Sequence, residues 1–524
     1  MYKFGYDISD KYETELGKKF SVYTPQEITR KMLAISFYKY FKDGDRKEKL
    51  KNLKLIDLSC GTGNFLVESL NFLIKISKIY FGEYKFFSNW ITGYDIDKDS
   101  IDIAKIRLKK ILKSYNINDY SFEKELNIEN SLLKTFEVNY DIVVGNPPYL
   151  GEKNNREFFI DIKNSEFGKK YYEGKMDYLY FFIEKGIEIL KKNGILTYIT
   201  TNYWFTADYA KKLRATVKAN SQFYYIEDLN KSVFKRALGQ HNMIFSLIKM
   251  DKTIKTRVIN DEIDEFINSN LLYTDNCKIV TASNEKLIFF NKMNKKCNFK
   301  LGDILNINQG IVSGYDKAFV RENFEERFSK YLKPFYKSKD ILNYKIKDKN
   351  DFWILYLDKN IEVDSELLKE LLPFKERLEK RREVKNGLIN WYNLQWGRKK
   401  EIFENEKIVG RQRGSKNLFS YSNSSFYGSA DIYYLTLKQT IYELNLFYIL
   451  GYLNSKMFFD WFYYNGKKKG QDLELYSTPL KSTPIYYPDN LEKIEYISKL
   501  VKEQIENYTQ ENQEKIDKFF RWEI

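Results

Sequence analysis

Four strand-like runs in the first 150 residues each stop on polar or glycine residues: KLIDLSCGTG (54–63), WITGYDID (90–97), NIENSLL (127–133) and DIVVGNPPYL (141–150). Short β-branched runs of this kind read as fully covered parallel strands. In open α/β sheets ligands bind just outside the carboxyl ends of the strands, so the four ends describe one nucleoside-binding sheet. Gly61 and Gly63 let the chain turn tightly and bring a ligand close to the backbone before a helix begins near Phe65. Asp95 follows about one strand–helix–strand unit later, where an acidic residue bonds a ribose hydroxyl pair. Position 66 is Leu where a dinucleotide fold carries its third glycine, which excludes that class.

The fourth end is the most unusual. The chain has only eight prolines in 524 residues, and two of them, Pro147 and Pro148, stand in tandem between Asn146 and Tyr149. Each proline holds the residue before it extended. The result is a stiff loop that offers one amide side chain, one backbone carbonyl and one aromatic ring at the sheet edge. Strand–helix alternation continues with MDYLYFFIEKGIEILKKNG (176–194), a helix ended at Asn193 and Gly194, and the strand ILTYITT.

Upstream, TPQEITRKML (24–33) reads as a helix start with Thr24 as N-cap, Pro25 at the first helical position and Glu27 completing a capping box. After about residue 258 the pattern changes. DEIDEFINSN and NEKLIFFNKMNKK read as charged helical segments, followed by short strands and turns such as NSSFYGSADIYYLTLK. The expected division is 1–258, a helical connector over 259–300, a second domain over 301–487, and a helical segment over 488–524 that serves packing.

Lys plus Arg outnumber Asp plus Glu by 87 to 72, a net charge of +15 that suits a polyanionic partner, although biased base composition accounts equally well for it. Cys60, Cys277 and Cys297 lack CxxC spacing and His241 is the sole histidine, which argues against a zinc site and a Ser-His-Asp mechanism. The first twenty residues hold no signal-like apolar stretch and no apolar run spans a membrane, so a soluble, cytoplasmic protein is expected.

In this order, with Thr24 and Pro25 first, then LIDLSCGTGNFL, GYDID, NPPY and a large closing domain, the chain resembles the γ-class, TaqI-type N6-adenine DNA methyltransferases. GIVSGYDKAFV (310–320) and WYNLQWGRKK (391–400) also resemble the clostridial orphan methyltransferases typified by CamA. The resemblance implies a class I S-adenosylmethionine-dependent fold, a Rossmann-like, doubly wound α/β sheet, followed by a mixed α/β target-recognition domain. It implies that Asn146 and the Pro147 carbonyl accept the two hydrogens of a flipped adenine's N6 amine, in the loop that Pro148 completes. Tyr149 and Phe234 stack on the base.

For S-adenosylmethionine, the resemblance implies Asp57, Ser59, Cys60, Gly61, Asn64 and Phe65 at the methionine end, Asp95 and Ile96 at the ribose and adenine, and Thr24 with Pro25 over the carboxylate. Where relatives carry Asp-Phe, this chain has Asn130 and Ser131. Asn130 can still accept from the adenine amine, but Ser131 cannot stack, which leaves that role to another side chain such as Leu132. The partner is double-stranded DNA. Expected contacts are Lys175, in GKMDYLY with Tyr178, then Gln309, Tyr315, Lys317, Arg411, Arg413, Lys416, Lys467, Lys468 and Lys469, as base readers or phosphate contacts. The product is S-adenosylhomocysteine, no metal is required, and a monomer is expected, with or without a separately encoded restriction endonuclease. NPPY also serves RNA and protein-glutamine methyltransferases, and a silent specificity module is the remaining alternative.

Overall fold

The four runs are strands β1 (Leu55–Asp57), β2 (Ile91–Asp95), β3 (Leu126–Ile128) and β4 (Tyr140–Gly145) of one sheet. It continues with β5 (Leu190–Thr201), β6 (Gln222–Asp228), β7 (Asn242–Ile248), β8 (Lys255–Ile259) and β9 (Asp264–Asn268). The computed structural model describes residues 24–234, 241–438, 444–469 and 472–523. These fall into two units that meet in sequence at Leu287 and Ile288.

The strand order is β3-β2-β1-β4-β5-β7-β6-β8-β9. Strands β1 to β5 pair in parallel, and β7 runs antiparallel to both β5 and β6. This is a class I methyltransferase-like core. Sequence-adjacent strands depart to opposite sides of β1, so the order reverses between β1 and β4, and a crevice opens there at the carboxyl ends.

The Leu at position 66 is accommodated from across the interface. A Cβ on Gly93 of β2 would lie 2.6 Å from Leu66 Cδ1 and 3.0 Å from Cys60 Sγ. The glycine that permits close helix–strand contact therefore sits on the strand, opposite a leucine on the helix Asn64–Phe81.

Three local expectations differ from the structure. The first described helix spans Gln26–Phe41 with Pro25 as N-cap and no side-chain cap bond, so Thr24 is not the cap. The helix Leu179–Ile189 ends before Asn193, which takes a left-handed φ of +64° at the bend inside β5 instead. DEIDEFINSN is not helical: residues 264–268 form β9, hydrogen-bonded to β8 at the sheet edge, so part of the expected connector belongs to the sheet.

The second unit is mixed α/β. An antiparallel sheet joins Leu305–Gln309, Ile432–Leu437, Lys407–Arg411 and Phe419–Ser422 in that order. A smaller sheet of Val320–Arg321, Phe352–Leu355, Leu332–Tyr336 and Tyr427–Gly428 shares a core of Tyr356, Phe403, Phe426 and Tyr434 with it. The closing helices Leu491–Glu506 and Gln510–Glu523 pack on Leu446–Leu453. Gly451 makes that approach possible, since a Cβ there would lie 3.0 Å from both Ile497 and Val501.

Candidate active site

Asp57 ends β1 with its carboxyl group buried between strands. Gly145, at the end of β4, exists for that carboxyl: a Cβ there would lie 2.7 Å from Asp57 Oδ1. The Ser59 amide donates to Asp57 Oδ1 at 3.0 Å. Burial pushes the Asp57 carboxyl up to about 8, with the Asp95 charge adding to the rise and the Ser59 amide opposing it.

This shift has a direction in stability. Between an unfolded carboxyl value of ~4 and about 8 the folded protein keeps a proton that the unfolded chain has released. The contribution is full below the lower value and lost as pH rises through the upper one. Asp57→Asn removes it, so the variant gains on wild type in stability as pH rises from ~5 to ~8, at up to ~1.4 kcal/mol per pH unit. A constant gap across that range in calorimetry contradicts the assignment.

Gly61 (φ +51°) and Gly63 (φ +82°) turn the chain from β1 into the helix Asn64–Phe81. A Cβ on Gly61 would meet nothing within 4 Å, so this backbone is open to a ligand. The Gly61 amide donates to Asp95 Oδ2 at 2.8 Å and the Asp97 amide to Oδ1 at 2.9 Å. Burial raises the Asp95 carboxyl, against those amides. Asp97 itself caps the helix Lys98–Ser114, accepting from the Ser100 amide and hydroxyl, which separates the two aspartates of GYDID into a site residue and a cap. Ile96 beside them is 67 % exposed, an apolar surface next to a carboxylate.

Other expected cofactor residues sit differently. Cys60 and Phe65 are buried in the core, and burial drives the Cys60 thiol up. Asn64 Nδ2 donates to the Thr24 carbonyl at 3.4 Å, which brings the segment at Pro25 over the glycine turn. Asn64 Oδ1 accepts from Arg107 Nη1 at 2.6 Å, and the same nitrogen reaches the Thr62 carbonyl at 2.7 Å. Arg107 thus braces the turn from behind, and nothing local in the sequence marks it.

Ser131 donates to the Leu58 carbonyl at 2.6 Å and is buried. Asn130 Oδ1 accepts from the Leu132 amide at 3.1 Å, and its Nδ2 donates to Tyr178 Oη at 3.4 Å. Leu132 is fully buried, so the stacking surface expected from it is absent; Ile96, Ile128 and Leu133 are exposed apolar side chains near these strand ends.

At the end of β4, Asn146, Pro148 and Tyr149 are half-buried and Pro147 is buried. The Tyr149 hydroxyl donates to Asn146 Oδ1 at 2.6 Å, with the Ile199 carbonyl of β5 a second acceptor at 2.9 Å. Asp177 holds the loop from the other side: its Oδ1 accepts from the Leu150 amide at 3.1 Å and the Leu179 amide at 3.0 Å. The Tyr178 amide donates to the Leu150 carbonyl, and the Glu152 amide to the Met176 carbonyl, each at 2.9 Å. The segment 176–178 is therefore a strap on NPPYL. Burial raises the Asp177 carboxyl, which the two amides oppose.

Phe234 departs from expectation. It is 3 % exposed in the core cluster against which Tyr149 packs, so its ring offers no face to a base here, and residues 235–240 that follow lie outside the described residues.

In the second unit Arg411 turns inward, donating to the Ile341 carbonyl at 2.5 Å, so it braces the fold instead of pointing at bases. Gln309 likewise donates to the Ala430 carbonyl at 2.7 Å, and the Tyr315 ring lies under the Arg377 guanidinium at 4.3 Å. Lys317 and Lys416 are exposed. The strands Arg413–Gly414 and Lys468–Lys469 flank Asp472–Glu474 on either side. There Arg413 and Lys467 share the buried Glu474 carboxylate at 2.6 and 3.3 Å, and Lys468 lies over the Tyr463 ring at 3.8 Å. The Lys469 side chain lies outside the described residues.

Residues 89–234 match the Eco57I restriction-modification methylase family, and residues 333–485 match the TaqI-like C-terminal specificity domain. Two separate regions of the chain thus match the Eco57I and TaqI types of DNA methyltransferase. Two type II methyltransferases align with nearly all of the chain. The type II methyltransferase M.HindII of Haemophilus influenzae (strain ATCC 51907 / DSM 11121 / KW20 / Rd) is 26 % identical over 522 residues, covering 89 % of this chain and 90 % of its own. M.HincII of Haemophilus influenzae is 26 % identical over 507 residues, 89 % of each. Among solved structures, the type IIL restriction-modification enzyme MmeI in complex with DNA shares the fold with a TM-score of 0.63 at 14 % identity, over 96 % of this chain and 75 % of that one.

The specificity-domain match is to the TaqI type at large, not to the clostridial orphan subtype. The two segments behind that narrower reading meet in the fold: Val312 and Trp396 form an antiparallel bridge. They are one architectural feature of the second unit.

Proposed function

We propose that the protein is a site-specific DNA adenine methyltransferase that turns an adenine out of the duplex and methylates its N6. The observation that carries this reading is the position of Asn146, Pro147 and Tyr149 at the end of β4, one strand from Asp57 and two from Asp95.

The residues at β1 and β2 fit S-adenosylmethionine. A buried carboxyl at Asp57 suits a cationic methionine end, and each Asp95 oxygen, accepting one amide, keeps a lone pair for a ribose hydroxyl. The uncovered backbone at Gly61 and the exposed Ile96 complete the cradle. When bound, S-adenosylmethionine supplies a methyl group on a cationic sulfur and leaves as S-adenosylhomocysteine.

The adenine amine is a poor nucleophile because its lone pair is delocalised into the ring. Asn146 Oδ1 and the Pro147 carbonyl accept its two hydrogens, draw it toward tetrahedral geometry and stabilise the positive charge that develops there. Tyr149, donating to Oδ1, fixes which end of the amide is oxygen. The methylated amine is acidic and sheds its proton without a dedicated base, so His241 has no role. Extruding the base costs a few kcal/mol, and the Tyr149 ring offsets part of this by stacking. Sequence recognition falls to the second unit. One such site per chain suits a monomer that methylates one strand per encounter.

The test is transfer of label from tritiated S-adenosylmethionine, offered unmethylated duplex DNA, RNA and protein in parallel, with nucleoside mass spectrometry of the product. N6-methyladenine in DNA is the expected result. Label in RNA, in protein or on cytosine would overturn the reading.

A further inference from the structure

Residues 202–210, TNYWFTADYA without its first residue, leave β5 on the same side of the sheet as the NPPY loop. The loop carries two exposed rings, Tyr203 at 53 % and Tyr209 at 46 %. Single exposed aromatics are ordinary. These differ in what holds them.

Arg214, 2 % exposed, spends its guanidinium on the loop's own backbone. Nη1 donates to the carbonyls of Trp204 at 2.8 Å and Ala207 at 2.7 Å, and Nε to that of Cys277 at 2.9 Å. Asn202 is tied at both ends, its amide to the His241 carbonyl at 3.0 Å and its Nδ2 to Asp228 at 3.1 Å. Lys175, just before the strap that holds the NPPY loop, donates to Tyr209 Oη at 3.1 Å. Gly174 and Lys175 both take left-handed φ, +85° and +52°, and a non-glycine residue there costs roughly 1–2 kcal/mol. The backbone of this loop is thus held by the buried Arg214, and Lys175 reaches Tyr209 at the surface, beyond the same strand ends as the NPPY loop. Other charges near this loop include Lys211, Lys212, Asp208, Lys278, Asp228 and Glu173, the last occupied by the Lys212 amide at 3.0 Å.

We propose that Tyr203, Tyr209 and Lys175 are the catalytic unit's own grip on nucleic acid, the rings packing on nucleotides that flank the extruded adenine and Lys175 meeting a phosphate of the same strand. This rests on the methyltransferase reading above. Rings held rigid at the mouth of a base pocket suit unstacked nucleotides, since every base has a π-face and stacking needs no sequence. The cation adds affinity that salt removes.

The experiment measures the DNA KM, the turnover number and S-adenosylmethionine affinity of the full chain with Tyr203→Ala, Tyr209→Ala, Lys175→Gln and the ring-preserving Tyr203→Phe and Tyr209→Phe. Each alanine variant is expected to raise the DNA KM at least tenfold on cognate and non-cognate duplex alike, Tyr203→Phe to stay near wild type, Tyr209→Phe, which keeps the ring but releases Lys175, to lose clearly less than Tyr209→Ala, and Lys175→Gln to flatten the salt dependence. Cofactor affinity, read by calorimetry, stays unchanged and reports folding. Wild-type KM in both alanine variants, or equal losses in the phenylalanine ones, overturns the proposal. Wild-type protein that labels RNA or protein instead of DNA overturns the methyltransferase reading, and this proposal with it.

Discussion

Asn146→Ala lowers methyl transfer to DNA by at least ~100-fold, the scale of losing one preorganised partner to a developing charge, while S-adenosylmethionine binding stays intact. The separation follows from the sheet. Asn146 leaves β4, whereas Asp57 and Asp95 leave β1 and β2, and Tyr149 bonds the amide from within its own loop. The alanine removes the side-chain acceptor for the target amine and leaves the Pro147 carbonyl in place. Single-turnover kinetics at saturating DNA, paired with cofactor titration, reads both quantities. Turnover within a few-fold of wild type would show that the amide does not act on the reacting nitrogen.

Arg214→Ala loosens the loop over residues 202–210 and lowers stability by ~3 kcal/mol or more, since buried carbonyls lose their donors and a cavity opens. Three of the five guanidinium hydrogens meet three carbonyls. Lysine restores charge but not the fork, so Arg214→Lys recovers only part of the loss. A chain of two units need not unfold in one transition, so the sharper measurement is amide exchange at Ala207 and Ala210, whose N–H groups bond to the Tyr203 and Ala207 carbonyls. Unchanged protection there would mean that the loop is held by something else.

The strand ends were legible because each couples a buried β-branched run to a polar stop, and both halves of that signal are local. What escaped depends on partners far away in sequence. Leu66 looks like a broken glycine motif until Gly93 is seen to supply the missing space. In DEIDEFINSN, Ile267 is the one fully buried residue of β9 while Phe266 is 65 % exposed. No periodicity survives such one-residue burial, and pairing with β8 decides the strand. Arg411 read as a surface cation because its acceptor, the Ile341 carbonyl, is 70 residues away. Phe234 was placed by resemblance alone, and the fold gives that ring to the core. The NPPY loop was readable as a stiff display of Asn146, but the strap through Asp177 was visible only as an unexplained segment.

The three short strands that join Arg413, Lys467 and Glu474 bear on how such proteins can be recombined. Segments 54 residues apart share one buried carboxylate and satisfy it together. Transplanting residues 411–416 from a relative without its own 467–474 strips that carboxylate of one cation and leaves the other to hold a buried charge alone. Grafts that respect the pair move both pieces at once. The unit of exchange in the second half is therefore a patch assembled by the fold, and a chimera cut at any point between the two segments tests for it by its solubility before any DNA is added.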